Sequence, residues 1–286
     1  MAADLDGSEL FVAALGSDMV EKIDSRQKRV VGKIGGIREP QGLGYIPEHK
    51  RLAVASGGDG SLRIYDENLK LVGQVNSLED ADNVRYDSGR HLLYVGYGRG
   101  ALAVIDPARS AKIAEISLDG HPESFQLEGR GNRIFVNVPN AGEIEVLDRE
   151  KRIVLARWKL KAATANFPMA LDEKNQIMFV GCRRPARLIV VDTRSGQLVA
   201  NLKACGDTDD LFYDSTRREI YLSGGSGCLS IYKAPNPGNY WELRTINTAS
   251  GARTSVFVPT NRTLYVAVPH RASQKAKILI FKAAAQ

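Results

Sequence analysis

Six acidic and amide residues stand where short loops lead into predicted β-strands, and side chains of these types can bind a cation or a polar ligand. They are Asp82, Asn83, Glu123, Asn166, Asp209 and Asp210. Carboxylate and amide oxygens are the ligands that hard divalent cations prefer. Asp82, Glu123 and Asp209 are therefore the candidate metal ligands, and calcium is a candidate cofactor.

Arginine residues add positive charge to the loops on the same side of the predicted strands. Those that could contact a ligand are Arg183, Arg253 and Arg271. Acids and cations together could hold a polar or zwitterionic ligand, and they could equally neutralise one another. The sequence leaves both alternatives open.

Two of the four histidines, His121 and His270, fall in these same loops and are the candidates for a general acid or base. His49 and His91 lie in turns at the other end of the strands, where we expect ordinary surface residues. The chain has no Gly-x-Ser-x-Gly motif, no His-Glu-x-x-His motif and no phosphate-binding loop. These residues therefore point to binding more than to catalysis.

The three cysteines fit no zinc spacing and make an odd number. We expect Cys182, Cys205 and Cys228 to be free thiols, although one disulfide is conceivable.

A repeat of about forty residues must position these side chains. A short apolar strand recurs seven times, and the interval between its anchor residues is 41 to 44 residues. The anchors are Val12, Val54, Val95, Val136, Val180, Leu222 and Val266. A period of this size without a helical pattern is typical of a β-propeller. We therefore predict an all-β fold, a seven-bladed propeller of four-stranded antiparallel blades.

Each repeat contains four strand patterns, and the third ends at an acid in the first five copies. We expect these acids to start turns by accepting backbone hydrogen bonds; they are Asp24, Asp66, Asp106, Asp148 and Asp192. The first inner strand is represented only by residues 1–3. Only residues 282–286 follow the third strand of the seventh repeat. The chain therefore supplies six fourth, or outer, strands for seven blades. One blade is therefore expected to be short of a strand.

Corresponding positions in a propeller form a ring around its central channel. Counting back five residues from the Pro or acid that ends each first strand gives Gly42, Asp82, Glu123, Phe167, Asp209 and Thr254. Three of these six positions are acids. This ring is the candidate binding face. As a metal site it is incomplete, because Gly42, Phe167 and Thr254 offer no carboxylate.

Composition favours one soluble domain over residues 1–286. The formal net charge of +6 comes from Lys and Arg spread through turns without interleaved aromatic residues, so nucleic-acid binding is not favoured. No apolar stretch is long enough to insert into a membrane. The N-terminus carries acids where an export signal would be basic and then apolar, so a periplasmic or other extracytoplasmic location requires an upstream signal. The oligomeric state is left open.

The repeated Leu-Phe-Val, Leu-Tyr-Val and Ile-Phe-Val strands, the Val-Ile-Asp and Val-Leu-Asp strands and the Pro40–Tyr45 segment resemble the YVTN or YncE-like bacterial β-propellers. The resemblance covers essentially the whole chain. It implies a seven-bladed fold, an export signal and an outer strand that closes the last blade. It implies no common reaction.

Three functions remain. The first, which we favour, is non-enzymatic binding of a protein partner or small polar ligand on the face formed by the loops that enter the inner strands. The second is a metal-dependent hydrolase or lyase, by analogy with lactonase-type propellers, with His121 or His270 as acid or base. The third is nucleic-acid binding through the basic turns.

Overall fold

The computed structural model describes residues 1–282 and contains seven antiparallel sheets. Six sheets have four strands, and the seventh has three among the described residues. Within each sheet the strands follow one another in chain order, as repeated hairpins require. The fold is a seven-bladed β-propeller, as the repeat predicts, and three strands of its seventh blade lie among the described residues.

The strands have the following bounds. The first sheet contains β1 to β4, at Ala2–Ala3, Glu9–Ala14, Met19–Asp24 and Arg29–Gly35. The second contains β5 to β8, at Pro40–Ile46, Arg51–Ser56, Ser61–Tyr65 and Leu71–Val75. The third contains β9 to β12, at Val84–Asp87, Leu92–Tyr97, Ala101–Asp106 and Ala111–Ser117. The fourth contains β13 to β16, at Phe125–Leu127, Arg133–Val138, Glu143–Asp148 and Ile153–Lys159.

The remaining sheets continue the same order. The fifth contains β17 to β20, at Thr164–Asp172, Ile177–Arg184, Ala186–Asp192 and Leu198–Lys203. The sixth contains β21 to β24, at Thr208–Asp214, Glu219–Gly224, Cys228–Asn236 and Asn239–Asn247. The seventh contains β25 to β27, at Ser255–Val258, Thr263–Val268 and Lys277–Lys282. Helical structure among residues 1–282 is limited to 3-10 turns at Leu15–Ser17, Pro47–His49 and Glu173–Asn175, so no described helix could cross a membrane.

The described chain separates into two compact units. The first contains Met1–Ala141 and Glu145–Ala156, and the second contains Gly142–Ile144 and the residues from Arg157 onwards. The prediction of a single domain stays a prediction. The predicted absence of a fourth strand after the last third strand concerns residues 282–286, of which 283–286 lie outside the described part of the chain.

Each anchor residue is the fourth residue of the second strand of its sheet. Six of the seven anchors have no exposed surface, and Val12 in the first sheet is partly buried. The core of each unit lies between neighbouring sheets. In the first unit, Ile64 and Val95 of adjacent sheets belong to one cluster, and in the second unit Phe179 and Leu222 belong to another. Burial of these apolar side chains is the main stabilising contribution to such a fold.

The pairing register corrects two positions of the candidate ring. In sheets three to six, each ring residue lies two residues before the first-strand residue that pairs with the anchor. In sheet three, for example, Val84 pairs with the anchor Val95, and the ring residue is Asp82. In sheets two and seven, Leu43 and Ser255 lie opposite the anchors, so the corresponding residues are Gln41 and Arg253. The predicted Gly42 and Thr254 are therefore wrong by one residue. The reason is that the anchor follows Pro47 and Pro259 by seven residues, whereas it follows the strand-ending acid by eight in sheets three to six, so the same count starts one residue too far along the chain.

The five strand-ending acids have the structural role that the sequence predicts. In each, Oδ1 accepts hydrogen bonds from two backbone N–H groups two to four residues further on, at 2.8 to 3.2 Å. The Arg194 side chain also binds Asp192, and this contact is the main reason that the pKa of Asp192 is lowered. The acids hold the turn that leads into each fourth strand.

Asp192→Ala tests this role. We expect it to lower the free energy of unfolding at pH 7 by roughly 1 kcal/mol, because two backbone donors lose a charged acceptor. A carboxyl whose pKa is lowered on folding stabilises the fold above its ordinary pKa of 3.8, and that contribution is lost as the pH falls towards the folded pKa. Denaturant unfolding at pH 7 and pH 3 should therefore show a smaller difference at pH 3. A difference that is independent of pH would contradict the argument.

Candidate functional site

Five side chains of the second unit come together where loops enter the inner strands of sheets five to seven. We call Phe167, Arg183, Asp207, Asp209 and Arg253 the charged cluster. Phe167, Asp209 and Arg253 hold corresponding positions on three consecutive sheets. Arg183 lies at the end of β18, and Asp207 immediately precedes β21. The repeat therefore places these side chains on one face of the second unit.

Two arginines and two aspartates alternate in this cluster. Arg183 Nη2 lies 2.6 Å from Asp209 Oδ1, and Arg253 Nε lies 3.3 Å from Asp209 Oδ2. Arg253 Nη1 donates to both oxygens of Asp207, at 2.9 and 3.0 Å. Arg183 Nε lies 3.6 Å from Asp207 Oδ1. Each carboxylate thus faces both guanidinium groups, and the four formal charges sum to zero.

Arg183 is held by two further contacts. Its guanidinium carbon lies 3.5 Å from the centre of the Phe167 ring, which is a close cation–π contact. Its Nε donates a hydrogen bond of 2.8 Å to the backbone carbonyl of Thr208. The side chain of Arg183 is 20% exposed, whereas those of Asp209, Arg253 and Asp207 are 33%, 40% and 41% exposed. Arg183 is the fixed member of the cluster, and the other charges are open to a ligand.

Burial raises the pKa of the Asp209 carboxyl, and the guanidinium groups of Arg253 and Arg183 oppose that shift. A raised pKa means that the ionised carboxylate is less stable here than in water. The two arginines therefore offset only part of the cost of removing Asp209 from water.

A disulfide bond anchors the loop that carries Asp207. It joins Cys205 to Cys228 across a separation of 23 residues. This finding corrects the expectation that both cysteines are free, because only the fold shows that the loop before β21 meets the start of β23. Cys182 is free and buried, and burial raises the pKa of its thiol to about 12. A side chain at Gly225 would overlap the Asp207 carboxylate and would have to displace it from its present position.

Of the other predicted ligand residues of the second unit, Asp210 and Asn166 are bound to the backbone and Arg271 to a hydroxyl group. Asp210 Oδ2 accepts a hydrogen bond of 2.7 Å from the backbone N–H of Ser255. Asn166 is buried, and its Nδ2 donates to the carbonyl of Glu143 at 2.9 Å. Arg271 is exposed, and its Nη1 lies 3.4 Å from the hydroxyl of Ser250. The structure places these three residues outside the charged cluster, and their ligand-binding roles stay predictions.

Asp82, Asn83 and Glu123 belong to the first unit and are partly buried. The backbone N–H of Asp82 donates to the carbonyl of Gly96, and that of Glu123 donates to the carbonyl of Asn137, both at 2.9 Å. Gly96 and Asn137 are the fifth residues of their strands, so Asp82 and Glu123 correspond as the repeat predicts. Their role as metal ligands stays a prediction.

The two candidate histidines have different surroundings. His121 Nδ1 lies 2.6 Å from the carbonyl oxygen of Gly98, and 3.7 Å from Asp80 Oδ2. A donor to a carbonyl holds the ring in one orientation and leaves Nε2 as the position that could exchange a proton. His270 is exposed on the connection between β26 and β27. The catalytic role of either residue stays a prediction.

Sequence reasoning missed Asp207 and undervalued Phe167. Asp207 has a positive φ of 53°, which is unusual for a residue with a side chain and turns its carboxylate towards the arginines. The available signal was the Gly206-Asp207 pair just before Asp209. Phe167 interrupted the predicted ring of polar residues, yet its ring face supports Arg183.

Comparisons with known proteins agree on the fold. No family model matches the chain. It is 24% identical over 228 residues to the uncharacterized protein YncE of Salmonella typhi, and equally to that of Salmonella typhimurium, which confirms the resemblance to YncE-like proteins. The match takes in 77% of this chain and spans 63% of the length of those relatives.

Similar solved structures extend over nearly the whole chain. Kuenenia stuttgartiensis hydrazine synthase aligns with a TM-score of 0.87 at 14% identity, over 99% of this chain and 94% of that one. A chain of the mitotic checkpoint complex aligns with a TM-score of 0.82 at 16% identity, over 98% and 86% of the two chains. At such low identity these likenesses show the fold alone.

Proposed function

We propose that this chain is a non-enzymatic binding propeller whose charged cluster holds a small ligand that carries both a positive and a negative charge. The observation that supports the proposal is the alternation of Arg183, Asp207, Arg253 and Asp209 on an accessible face. A ligand carboxylate would bind the arginines, most readily Arg253, which is the more exposed of the two. A ligand ammonium would bind Asp207 and Asp209.

The energetics of Asp209 favour a ligand of this kind. The two arginines offset only part of the free-energy cost of burying the ionised Asp209 carboxylate. An ammonium group of a ligand beside this carboxylate would offset more of it. Arg183 is already held by the Phe167 ring and the Thr208 carbonyl, so it can present a fixed charge to a ligand. A divalent cation at Asp209 would instead have to displace Arg183 and Arg253 from its two oxygens. The cluster therefore supports a zwitterion better than calcium, and it favours binding over the metal-dependent hydrolase alternative.

We also propose an extracytoplasmic location. The Cys205–Cys228 disulfide supports it, since disulfides persist mainly in oxidising compartments. Fractionation of the native host, with the disulfide state measured in each fraction, tests the location separately from ligand binding.

Thermal unfolding in the presence of free amino acids tests the binding proposal. Acetate and methylammonium serve as controls that carry a single charge. At ten times its dissociation constant a bound ligand should add about 1.4 kcal/mol to the free energy of unfolding. We expect this gain with at least one zwitterion and with neither control.

A matched pair of variants locates the site. Arg253→Gln should abolish the gain because it removes the exposed cation of the cluster. Arg63→Gln should keep it, because Arg63 forms a similar ion pair with Asp59, at 2.6 Å, in the first unit. Equal gains in both variants, or no gain with any zwitterion, would contradict the proposal.

A further inference from the structure

A cavity of about 390 Å³ lies against the fifth sheet, in the second unit. Residues 159–162, at the end of β16 and in the connection that follows it, form one wall. The other wall consists of Ile189 and Val191 of β19, Leu198 of β20 and Gly196 in the turn between these two strands. Small-molecule sites have volumes of about 300 to 1,000 Å³, so this cavity has the size for a small ligand. Its lining includes none of the five residues of the charged cluster.

One side of the cavity is an apolar surface formed by Ile189, Val191 and Leu198, which we call the apolar floor. Ile189 and Val191 are 1% and 2% exposed, and they lie on the same face of β19 because alternate residues of a strand point to the same side. Leu198 pairs with Val191 across the sheet and is 51% exposed. The apolar floor therefore continues from the interior of the sheet to the solvent, and a hydrocarbon group bound there would remove Leu198 from water, which is favourable.

The indole ring of Trp158 lies against the turn that closes this wall. A Cβ atom at Gly196 would lie within 2.6 Å of three atoms of the indole ring, and Gly196 has a positive φ of 73°. Glycine is required here both by the backbone conformation and by the close approach of the ring. Trp158 thus contacts a residue that lines the cavity, and its fluorescence can report on a bound ligand.

Positively charged side chains surround the apolar floor. Lys161 lies in the opposite wall and is exposed. Arg187 of β19 pairs with Lys203 of β20, and both lie on the same face of the sheet as Ile189. None of these three cations forms an ion pair within residues 1–282. They are therefore available to an anion.

The acids beside the cavity already have partners. Glu143 Oε2 lies 2.8 Å from Nζ of Lys159, a residue of the cavity wall. Asp192, which follows Val191 in β19, binds the side chain of Arg194 and two backbone N–H groups. In the described part of the chain, this surface thus combines unpaired cations with paired carboxylates. Electrostatic complementarity favours a ligand whose charge is negative.

We propose that this cavity binds a carboxylate with an apolar hydrocarbon body, such as a medium-chain fatty acid. The hydrocarbon chain lies on the apolar floor, and the carboxylate lies at the exposed rim, where Lys161 supplies a charge-assisted hydrogen bond. The small volume favours the free acid over a membrane lipid. This site is separate from the charged cluster, so the inference goes beyond the proposed function.

Tryptophan fluorescence tests the proposal in the Trp241→Phe variant, in which Trp158 is the one remaining tryptophan. The probe is decanoate, used below the concentration at which it forms micelles. Acetate has the same charged group without the chain, and decyltrimethylammonium has the same chain with a positive charge. We expect a saturable change of Trp158 emission with decanoate, at least tenfold weaker binding of decyltrimethylammonium, and no change with acetate.

Further substitutions in this variant locate the site. Leu198→Asp should weaken decanoate binding at least tenfold, because it places a negative charge on the apolar floor, and Lys161→Gln should weaken it at least threefold. The matched controls Leu243→Asp and Lys277→Gln change exposed residues of the sixth and seventh sheets that do not line the cavity, and they should bind normally. Arg253→Gln should also bind normally, which separates this site from the charged cluster. Circular dichroism should show that each variant is folded.

Calorimetric titration with decanoate detects binding that leaves the emission of Trp158 unchanged. Absence of saturable binding by both methods would overturn the proposal. Equal binding of decanoate and decyltrimethylammonium, or equal weakening by Leu198→Asp and Leu243→Asp, would also overturn it. Binding to vesicles of anionic phospholipid that depends on Lys161, without binding of decanoate, would assign this surface to a membrane instead.

Discussion

Removal of the Cys205–Cys228 disulfide is expected to lower the free energy of unfolding by about 3 kcal/mol, the value that loop-closure entropy gives for a loop of this length. The change to test is the double variant Cys205→Ala and Cys228→Ala. The loop that precedes β21 would then lose its covalent attachment to the start of β23. Because this loop carries Asp207, we also expect weaker binding of any ligand of the charged cluster.

Thiol titration provides the control for this prediction. Cys182 is buried with a raised pKa, so the native protein should show no reactive thiol. The denatured protein should show one thiol without reductant and three after reduction. Three thiols without reductant, or a double variant as stable as the wild-type chain, would contradict the assignment.

Arg183→Gln is expected to lower the free energy of unfolding at pH 7 by about 2 kcal/mol, since it leaves a partly buried carboxylate without its closest partner. The variant loses the 2.6 Å contact with Asp209, the hydrogen bond to the Thr208 carbonyl and the contact with the Phe167 ring. Denaturant unfolding measures the difference. The matched control is Arg63→Gln, whose guanidinium is equally shielded and pairs with Asp59, and which interacts with the side chain of Tyr65 through a hydrogen bond.

The opposite change at the same ion pair should have a different result. Asp209→Asn should alter stability at pH 7 little, or raise it slightly, because burial already disfavours the ionised carboxylate and Asp207 still faces both arginines. A carboxyl whose pKa is raised on folding stabilises the fold below its ordinary pKa of 3.8, and that contribution is lost as the pH rises through the folded pKa. In Asp209→Asn, the free energy of unfolding should not fall over this pH range on account of residue 209, because the amide does not titrate. A large destabilisation by Asp209→Asn would show that the ion pairs outweigh burial and that the cluster is mainly structural.

The pH dependence of Arg183→Gln follows from the same carboxylate. Without Arg183, the pKa of Asp209 should rise further, and protonation should relieve the unpaired charge. The destabilisation should therefore be smaller at pH 4 than at pH 7. An effect of equal size at both pH values would assign it to the lost aromatic and backbone contacts alone.

The sequence by itself determined the repeating architecture of this protein. Val95 and its counterparts recur at a nearly constant interval because each blade buries the same strand position, and a regular burial pattern is visible in one chain without coordinates. The count of strand patterns also agrees with the three strands that the seventh sheet has among residues 1–282. Turn acids such as Asp192 were predictable because their hydrogen bonds reach only a few residues along the chain.

Only the tertiary structure decided which polar residues meet. The contact between Arg183 and Asp209 joins residues 26 positions apart, and that between Arg253 and Asp207 joins residues 46 apart. Repeat counting gives the position of a residue along its strand only where the hairpins have the same length, and the direction of its side chain depends on bulges and on loop conformation. A one-residue error there replaced Arg253 with Thr254. The Cys205–Cys228 bond was missed for the same physical reason, since cysteine spacing carries no information about which loops of neighbouring strands come into contact.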